Sequence, residues 1–263
     1  MDFAPYISVP NKKHASKVSV TIKTVKAKGP RPTMEDRCVV EFLPGSKIII
    51  GIFDGHGGDA IAQMCIETAP KLMEELLQTN QDISQCIKLL YKQLDDQARD
   101  MGCPYVGTTA AIILITPDKV WFSNCGDAMI AMKVRNGDVK FMTQNHKVEN
   151  EKERIKDLGG IVTYWDGCAR IYGTLNIARS IGDHCLKTYV VSEPYVTTST
   201  CIKSDIDWIL VASDGLWDVF EPHEVDTSLQ KSKNNLQQLV QEAFTRGSTD
   251  NVTAALAMFI PIR

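Results

Sequence analysis

Five short stretches of this chain set a carboxylate in a stiff context: Met34-Glu35-Asp36, Phe53-Asp54-Gly55-His56-Gly57-Gly58, Gly126-Asp127, Ser213-Asp214-Gly215 and Thr249-Asp250-Asn251. Asp54 and Asp214 directly follow the apolar runs Ile48-Ile49-Ile50-Gly51-Ile52-Phe53 and Trp208-Ile209-Leu210-Val211-Ala212, so each emerges at the end of a buried strand. Carboxylates gathered at strand ends, with no Cys or His cluster beside them, select hard cations such as Mg²⁺ or Mn²⁺.

Within Asp54-Gly55-His56-Gly57-Gly58, glycine lets the backbone bring a carbonyl close to an ion. Asp54 can then bridge two metals while the Gly55 carbonyl helps hold one of them. His56 would face the reacting centre, since an imidazole can give a proton to a leaving oxygen near neutral pH. Taken alone the pentapeptide reads as a tight turn with a satisfied histidine; the other acids tip it toward chemistry. Arg31 precedes Glu35 and Asp36 by a few residues, and its fork of donors suits a phosphate held from the other side by a metal. The alternative for this run is an exposed salt-bridging loop. Asp250-Asn251 by itself reads as a turn, and Asp127 stands where a hairpin turn is expected.

Two divalent ions bridged by water would supply hydroxide and clamp the oxygens of an in-line displacement, and phosphoester hydrolysis uses that arrangement most naturally. The sequence holds no Gly-x-Ser-x-Gly elbow, no P-loop and no Cys-x₅-Arg signature, so neither a covalent phosphoenzyme nor nucleotide-driven transfer has support.

The elements that must position these residues follow from periodicity. Strands are expected at 17–25, 37–42, 47–53, 109–116, 119–124, 128–134, 138–142, 208–213 and 252–259. A helix is expected over 59–78, with Met64, Cys65, Thr68, Leu72, Leu76 and Leu77 on one stripe and a kink at Pro70. Asp82 with Gln85 reads as a capping box for a helix carrying Ile83, Ile87, Leu90, Leu94 and Ala98. Ser232 is expected to cap a helix with Leu236, Leu239, Val240 and Ala243, ended by Gly247. Residues 145–207 are less regular. Two consecutive helices do not fit a simple βαβ alternation, and the connections among the strands from 109 to 142 are too short for crossovers. Those strands are expected to pair antiparallel, which gives an α+β protein.

The 263 residues are 44% hydrophobic and 23% charged, an ordinary globular composition, and the candidate site runs from Glu35 to Asp250 without a linker, so one domain over 1–263 is expected. Residues 1–31 hold seven Lys/Arg (Lys12, Lys13, Lys17, Lys23, Lys26, Lys28, Arg31) against Asp2; they read as a half-buried strand with a wet outer face rather than a targeting arm. The net charge of −3 advertises neither nucleic acid nor membrane, no apolar run reaches a membrane span, and Met1-Asp2 does not fit N-myristoylation. Eight cysteines without a CxxC pair and a start lacking signal-peptide build point to reduced thiols in a cytoplasmic, or also nuclear, protein. A monomer is expected.

In their order, the motifs resemble the metal-dependent PP2C-type serine/threonine protein phosphatases. The resemblance runs from about Val20 to Phe259 and includes Arg31 to Asp36, Phe53 to Gly58, Gly107-Thr108-Thr109-Ala110, Asn124 to Asp127, Glu151 to Ile155 with Gly159-Gly160, Arg170 to Leu175, Ala178 to Asp183, Ala212 to Asp218 and Ser248 to Thr253. It implies a four-layer αββα sandwich of two mostly antiparallel sheets flanked by helix pairs, with two Mn²⁺ or Mg²⁺ ions in a cleft at one end. It further implies that Glu35, Asp54 and the Gly55 carbonyl serve one ion and Asp54, Asp214 and Asp250 the other. Arg31 would hold the substrate phosphate and His56 would be the general acid, acting on phosphoserine and phosphothreonine proteins. A third, weaker ion would fall near Asp127 and Asp218.

Two departures from the family pattern fall beside the site: Asp127 is followed by Ala128-Met129 rather than Ser-Arg, and Asn145-His146-Lys147-Val148 replaces Asp-His-Lys-Pro. They bear on local salt bridges and on the neighbouring flap. Trp165 lies in that flap, where certain plant relatives present a tryptophan to a hormone receptor; followed by a turn, it is read here as packing. Two other classes compete. A catalytically silent PP2C-fold binding module would lack part of the ligand set, whereas Glu35, Asp54, Asp214 and Asp250 are all acidic and His56 and Arg31 are present. A two-metal nuclease needs a basic groove; residues 32–263 hold 22 basic against 31 acidic residues, a net −9.

Overall fold

The computed structural model describes residues 7–9, 18–80, 82–199 and 203–262, so Lys12, Lys13, Lys17 and Cys201 lie outside the described residues. Along the chain, β1 (Ile7–Val9), β2 (Val18–Ala27), β3 (Arg37–Leu43), β4 (Lys47–Phe53) and β5 (Gly55–His56) lead into α1 (Ala60–Thr79) and α2 (Ile83–Asp100). Then come β6 (Gly107–Thr108), β7 (Ala110–Ile115), β8 (Val120–Cys125), β9 (Met129–Val134), β10 (Val139–Phe141), α3 (Val148–Asp157), β11 (Val162–Trp165) and β12 (Cys168–Ile171). The chain continues with β13 (Ile181–Gly182), β14 (Tyr195–Thr198), β15 (Ile206–Ala212), α4 (Asp214–Trp217), α5 (Pro222–Lys231), α6 (Leu236–Thr245) and β16 (Val252–Pro261).

The two large sheets are antiparallel throughout: β1-β2-β16-β15-β9-β10 and β14-β8-β7-β4-β3. Ile50, Ile52, Ile113 and Phe122 of one meet Ile130, Ile209, Val211 and Ala257 of the other. On the outer face of the five-stranded sheet, Ile49, Phe53, Ile112 and Leu114 pack under Ile61, Met73, Leu90 and Leu94 of α1 and α2. On the outer face of the six-stranded sheet, Val25, Leu210 and Leu256 pack under Leu229, Leu239 and Val240 of α5 and α6. The result is a four-layer αββα sandwich. It explains the continuous apolar runs in β4 and β15, because both faces of these strands are covered. Among the described residues no helix is long and apolar enough to cross a membrane.

Several local expectations need correction. Strands β8 and β9 do not pair; they belong to different sheets, and Gly126-Asp127-Ala128 is the corner between layers rather than a hairpin turn. The short connection carries the chain across the sandwich because β8 already has β7 and β14 on its two edges, while β9 has β15 and β10. Strand β2 does not have the expected wet outer face: Ser19 and Lys23 are half-buried, Thr21 is buried, and Val25 and Ala27 are buried beneath the helix layer. Helix α1 continues through Pro70, and its buried stripe is Ile61, Cys65, Ala69, Met73 and Leu76, with Met64, Leu72 and Leu77 at its border.

Asp82 caps α2 by accepting from Ser84 N and Gln85 N, but its own N–H goes to Asn80 Oδ1, so Gln85 does not complete a box. Ser232 closes α5, and the N-cap of α6 is Asn235. Residues 232–235 form a tight link with Lys233 and Asn234 at positive φ, and a window centred on the next apolar stripe cannot separate the end of one helix from the start of the other. Trp165 is 74% exposed on the two-stranded hairpin β11-β12, where Tyr164 (60%) is exposed beside it. Its packing role is therefore not realised, as α3 packs against Val162, Ala169 and Ile171 on the hairpin's other face.

The inter-sheet layer sets the stability of the whole. Ile50→Ala, which empties a fully buried position between the sheets, is expected to lower unfolding free energy by about 2–5 kcal/mol in urea denaturation, with little change in m-value.

Candidate active site

The acids converge because the strand ends do. Asp54 leaves β4, Asp214 follows β15 at the start of α4, Asp250 precedes β16, Asp36 precedes β3, and Asp127 occupies the corner between the sheets. Asn251 ties the entering loop to this end: its Nδ2 donates to Lys28 O (2.8 Å) and Thr33 O (2.9 Å), while its Oδ1 accepts from Glu35 N (2.8 Å). Ser213 Oγ donates to Asp36 Oδ2 at 2.8 Å and accepts from Thr253 N at 2.9 Å, linking β15, β16 and the start of β3. Gly55 is needed where it stands, as a Cβ there would lie 2.7 Å from Glu35 O.

Charge accumulates in this cleft. Burial, then Asp36, Asp214, Asp127 and Asp250, push the Asp54 carboxyl well above its ordinary value. Burial followed by Asp127, Asp218 and Asp250 does the same to Asp214. Asp36 is raised from 3.8 to about 6 by burial, against the hydrogen bonds from Ser213 and its neighbours. Asp127 is also raised to about 6 by burial, against the attraction of Lys147. Lys147 Nζ lies 2.6 Å from Asp218 Oδ1 and 4.0 Å from Asp127 Oδ2. Burial disfavours its charge, but Asp218, Asp127 and Asp214 outweigh that and hold the ammonium above its usual range.

The remaining expected residues stand at the rim. Arg31 Nη2 meets Asp250 Oδ2 at 2.5 Å, Glu35 accepts from Thr33 Oγ1 (2.7 Å) and Gly58 N (3.2 Å), and His56 Nε2 lies 2.8 Å from Asp183 Oδ2. The structure thus brings Asp54, Asp127, Asp214 and Asp250 into mutual electrostatic contact, with Asp218 beside Lys147 and Arg31 across Asp250. Three participants were not assigned roles from sequence: Asp36, Asp183 and Lys147. Asp36 adjoins Glu35 in one motif, and Asp183 ends the Ser180-Ile181-Gly182-Asp183 run in the same glycine-acid style as the other sites. Lys147 was marked only as part of the Asn145-His146-Lys147-Val148 departure, and its partners, 20 and 71 residues away in sequence, were not legible.

The model for the family described as "Protein phosphatase 2C" matches residues 21–252, most of the chain. The chain belongs to the protein phosphatase 2C family. It is similar to "Probable protein phosphatase 2C 11" of Arabidopsis thaliana, with 32% identity over 88% of this chain and 64% of the relative. It is equally similar to "Probable protein phosphatase 2C 45" of Oryza sativa subsp. japonica, with 32% identity over 88% of this chain and 85% of the relative. The chain thus spans about two thirds of the first relative's length and most of the second's. Among solved structures it shares its fold with serine-threonine phosphatase 2C from Toxoplasma gondii (TM-score 0.78, 23% identity, 97% of this chain and 99% of that one). A C. elegans sex determining protein has the same fold (TM-score 0.83, 22% identity, 90% of this chain and 64% of that one).

The donor set of this protein phosphatase 2C domain suits the divalent ions its family implies. The acids gathered here offer only oxygens, as hard cations require. Asp36 Oδ1 is buried without a hydrogen-bond partner among the described residues, and the like charges around Asp54 call for a counter-cation. Among the described residues no three acids, imidazoles or thiols already form a ready cage; Asp250 and Asp218 are instead engaged by Arg31 and Lys147.

The raised acids have a consequence for the metal-free fold. Asp127 binds its proton up to about pH 6 when folded but only to its ordinary 3.8 when unfolded, so its contribution to stability is lost as pH rises through that window. Asp127→Asn is expected to stabilise the metal-free chain at pH 7 by on the order of 1–3 kcal/mol. The gain should vanish near pH 4, and thermal melts in EDTA at the two pH values read the difference.

Proposed function

We propose that this chain is a protein phosphatase acting on phosphoserine and phosphothreonine, as a single catalytic unit dependent on Mn²⁺ or Mg²⁺. The observation that carries the reading is the cleft itself: Asp54 and Asp214 are pushed toward protonation by burial and then by neighbouring acids, with Arg31 and His56 at the rim. Glu35, Asp54 and the Gly55 carbonyl would hold one ion, and Asp54, Asp214 and Asp250 the other. When bound, such ions make hydroxide available near neutral pH and neutralise charge on the phosphoryl oxygens.

The chain's own residues do the rest. Arg31, 53% exposed and resting on Asp250, is free to swing its fork onto a phosphate once Asp250 has another cation. His56 would pass a proton to the departing side-chain oxygen. Hydroxide attacks phosphorus as that P–O bond breaks, so the products are the free hydroxyl protein and inorganic phosphate, with no phosphoenzyme. A third ion at Asp127 and Asp218 would have to compete with Lys147 for Asp218. The silent binding-module reading has no missing ligand to motivate it.

The deciding assay is hydrolysis of a phosphothreonine peptide by the purified chain. Turnover is expected with Mn²⁺ or Mg²⁺, to be abolished by EDTA and to fall at least ~10³-fold in Asp214→Ala. Arg31→Ala should raise KM by about 10–100-fold through loss of a charge-assisted phosphate contact. A folded, metal-loaded chain without turnover would favour the binding module.

A further inference from the structure

The histidine at the rim is not left to itself. Its Nε2 meets the carboxylate of Asp183, whose side chain is only 5% exposed, while the imidazole is 27% exposed. The contact is built by the small sheet β13-β6-β5: His56 is registered against Gly107, and Gly107 against Gly182, the residue before Asp183. The pair lies directly over the Gly107 α-carbon, since a Cβ there would stand 2.1 Å from Asp183 Oδ2 and 2.6 Å from His56 Nε2. Only glycine leaves room for it.

Asp183 is held from several sides. Its backbone takes the left-handed conformation (φ 51°), and its N–H donates to Val106 O at 3.0 Å. The preceding Gly182 N–H donates to Asp95 Oδ1 of α2 at 2.9 Å, and Asp95 also binds Lys187 Nζ (2.7 Å) and Ser192 Oγ (3.2 Å). Although Asp183 opens a short 3₁₀ turn, its carboxylate makes no capping bond there. Instead Oδ2 receives both the Ser180 hydroxyl and the His56 ring. A group serving only the local turn would be spent on the turn's N–H groups.

We infer that Asp183 is a positioning residue for His56, fixing Nε2 so that Nδ1 is the ring nitrogen presented to the substrate's leaving oxygen. Burial works against the Asp183 charge, but the His56 and Ser180 hydrogen bonds and Lys187 outweigh it, and the carboxyl is held below its ordinary range. An ionised carboxylate only accepts, so Nε2 keeps its hydrogen. No described residue bonds Nδ1. In the step, hydroxide oxygen forms the new P–O bond as the old one breaks. The old bond's electron pair goes to the serine or threonine oxygen, which takes the Nδ1 proton. The ring ends neutral with Nε2–H on Asp183, and hydrogen phosphate leaves.

This role rests on the phosphatase reading, and leaving-group dependence separates the two. p-Nitrophenolate departs without a proton, whereas an alkoxide of threonine needs one. With Mn²⁺ present, Asp183→Ala is expected to lower kcat on the phosphothreonine peptide by about 10²-fold and on p-nitrophenyl phosphate by less than ~3-fold. Asp183→Asn, which keeps an acceptor oxygen and the shape of the side chain, should recover about tenfold of the peptide loss. In a His56→Ala background, Asp183→Ala should cost the peptide reaction nothing further. Circular dichroism checks each fold, and Asp183→Asn carries the test where Asp183→Ala unfolds. Equal losses on both substrates, no loss, or a loss undiminished without His56 would each overturn the role of Asp183. If wild type is active but His56→Ala loses equally on both substrates, the acid role of His56 falls and takes Asp183 with it. A wild type that hydrolyses neither substrate removes the phosphatase reading itself.

Discussion

The structure is organised around repulsion. Asp36, Asp54, Asp127, Asp214 and Asp250 act on one another at one end of the sandwich, and burial first, with mutual charge added to it, drives four of them away from ionisation. Left alone, such a cluster would splay or protonate. It persists because each member is fixed to the end of a strand whose other residues lie in a covered sheet, so opening the cleft would mean disrupting the layers. The hydrophobic sandwich and the acidic cleft are therefore coupled. Stability stored between Ile50, Ile113, Ile130 and Ile209 is what allows unfavourable charge to be concentrated a few residues away.

Neutral hydrogen-bonding groups carry out the close work in this field. Asn251 joins the 28–35 loop to β16 through both ends of its amide, and Ser213 bridges Asp36 and Thr253. These side chains pin the backbone without adding charge to a crowded site. The protein cations are placed at the edges instead: Arg31 on Asp250 and Lys147 on Asp218. Both acids can thus trade one positive partner for another. The corner His146 follows the same logic. Burial, with Arg179 nearby, lowers its pKa to about 4, so it stays neutral while its Nδ1 bonds the Gly126 backbone beneath Asp127.

The flap is built differently. Glu151 on α3 clamps Arg154 and Arg179, each at 2.6 Å, and Arg154 reaches Tyr189 O and Ala178 O, tying α3 to the 178–189 segment within this region. From this region the β11-β12 hairpin carries Tyr164 and Trp165 into solvent. The rigid strand ends bear the charged chemistry, and the projecting hairpin bears exposed aromatics.

The sequence by itself made legible the strands β2–β4, β7–β10, β15 and β16, the consecutive helices α1 and α2, the stripe of α6, and the strand-acid-glycine pattern at Asp54 and Asp214, because periodicity and local turn chemistry are short-range properties; α3, α5 and the short strands between 145 and 207 were not separated. It also carried the ordered motifs that the family model matches. Tertiary structure decided what depends on distance in space. It made Gly126-Asp127-Ala128 a corner between sheets, since the edges of β8 and β9 were already taken by other strands. It exposed Trp165, because α3 covers only the other face of the flap hairpin, at Val162, Ala169 and Ile171. It brought Lys147 to Asp218, and Asp183 to His56 across 127 residues, through the registers of β5, β6 and β13. A sequence states which side chains can carry charge or protons. Which of them face one another is set by sheet pairing and layer packing, and those depend on contacts between segments far apart in the chain.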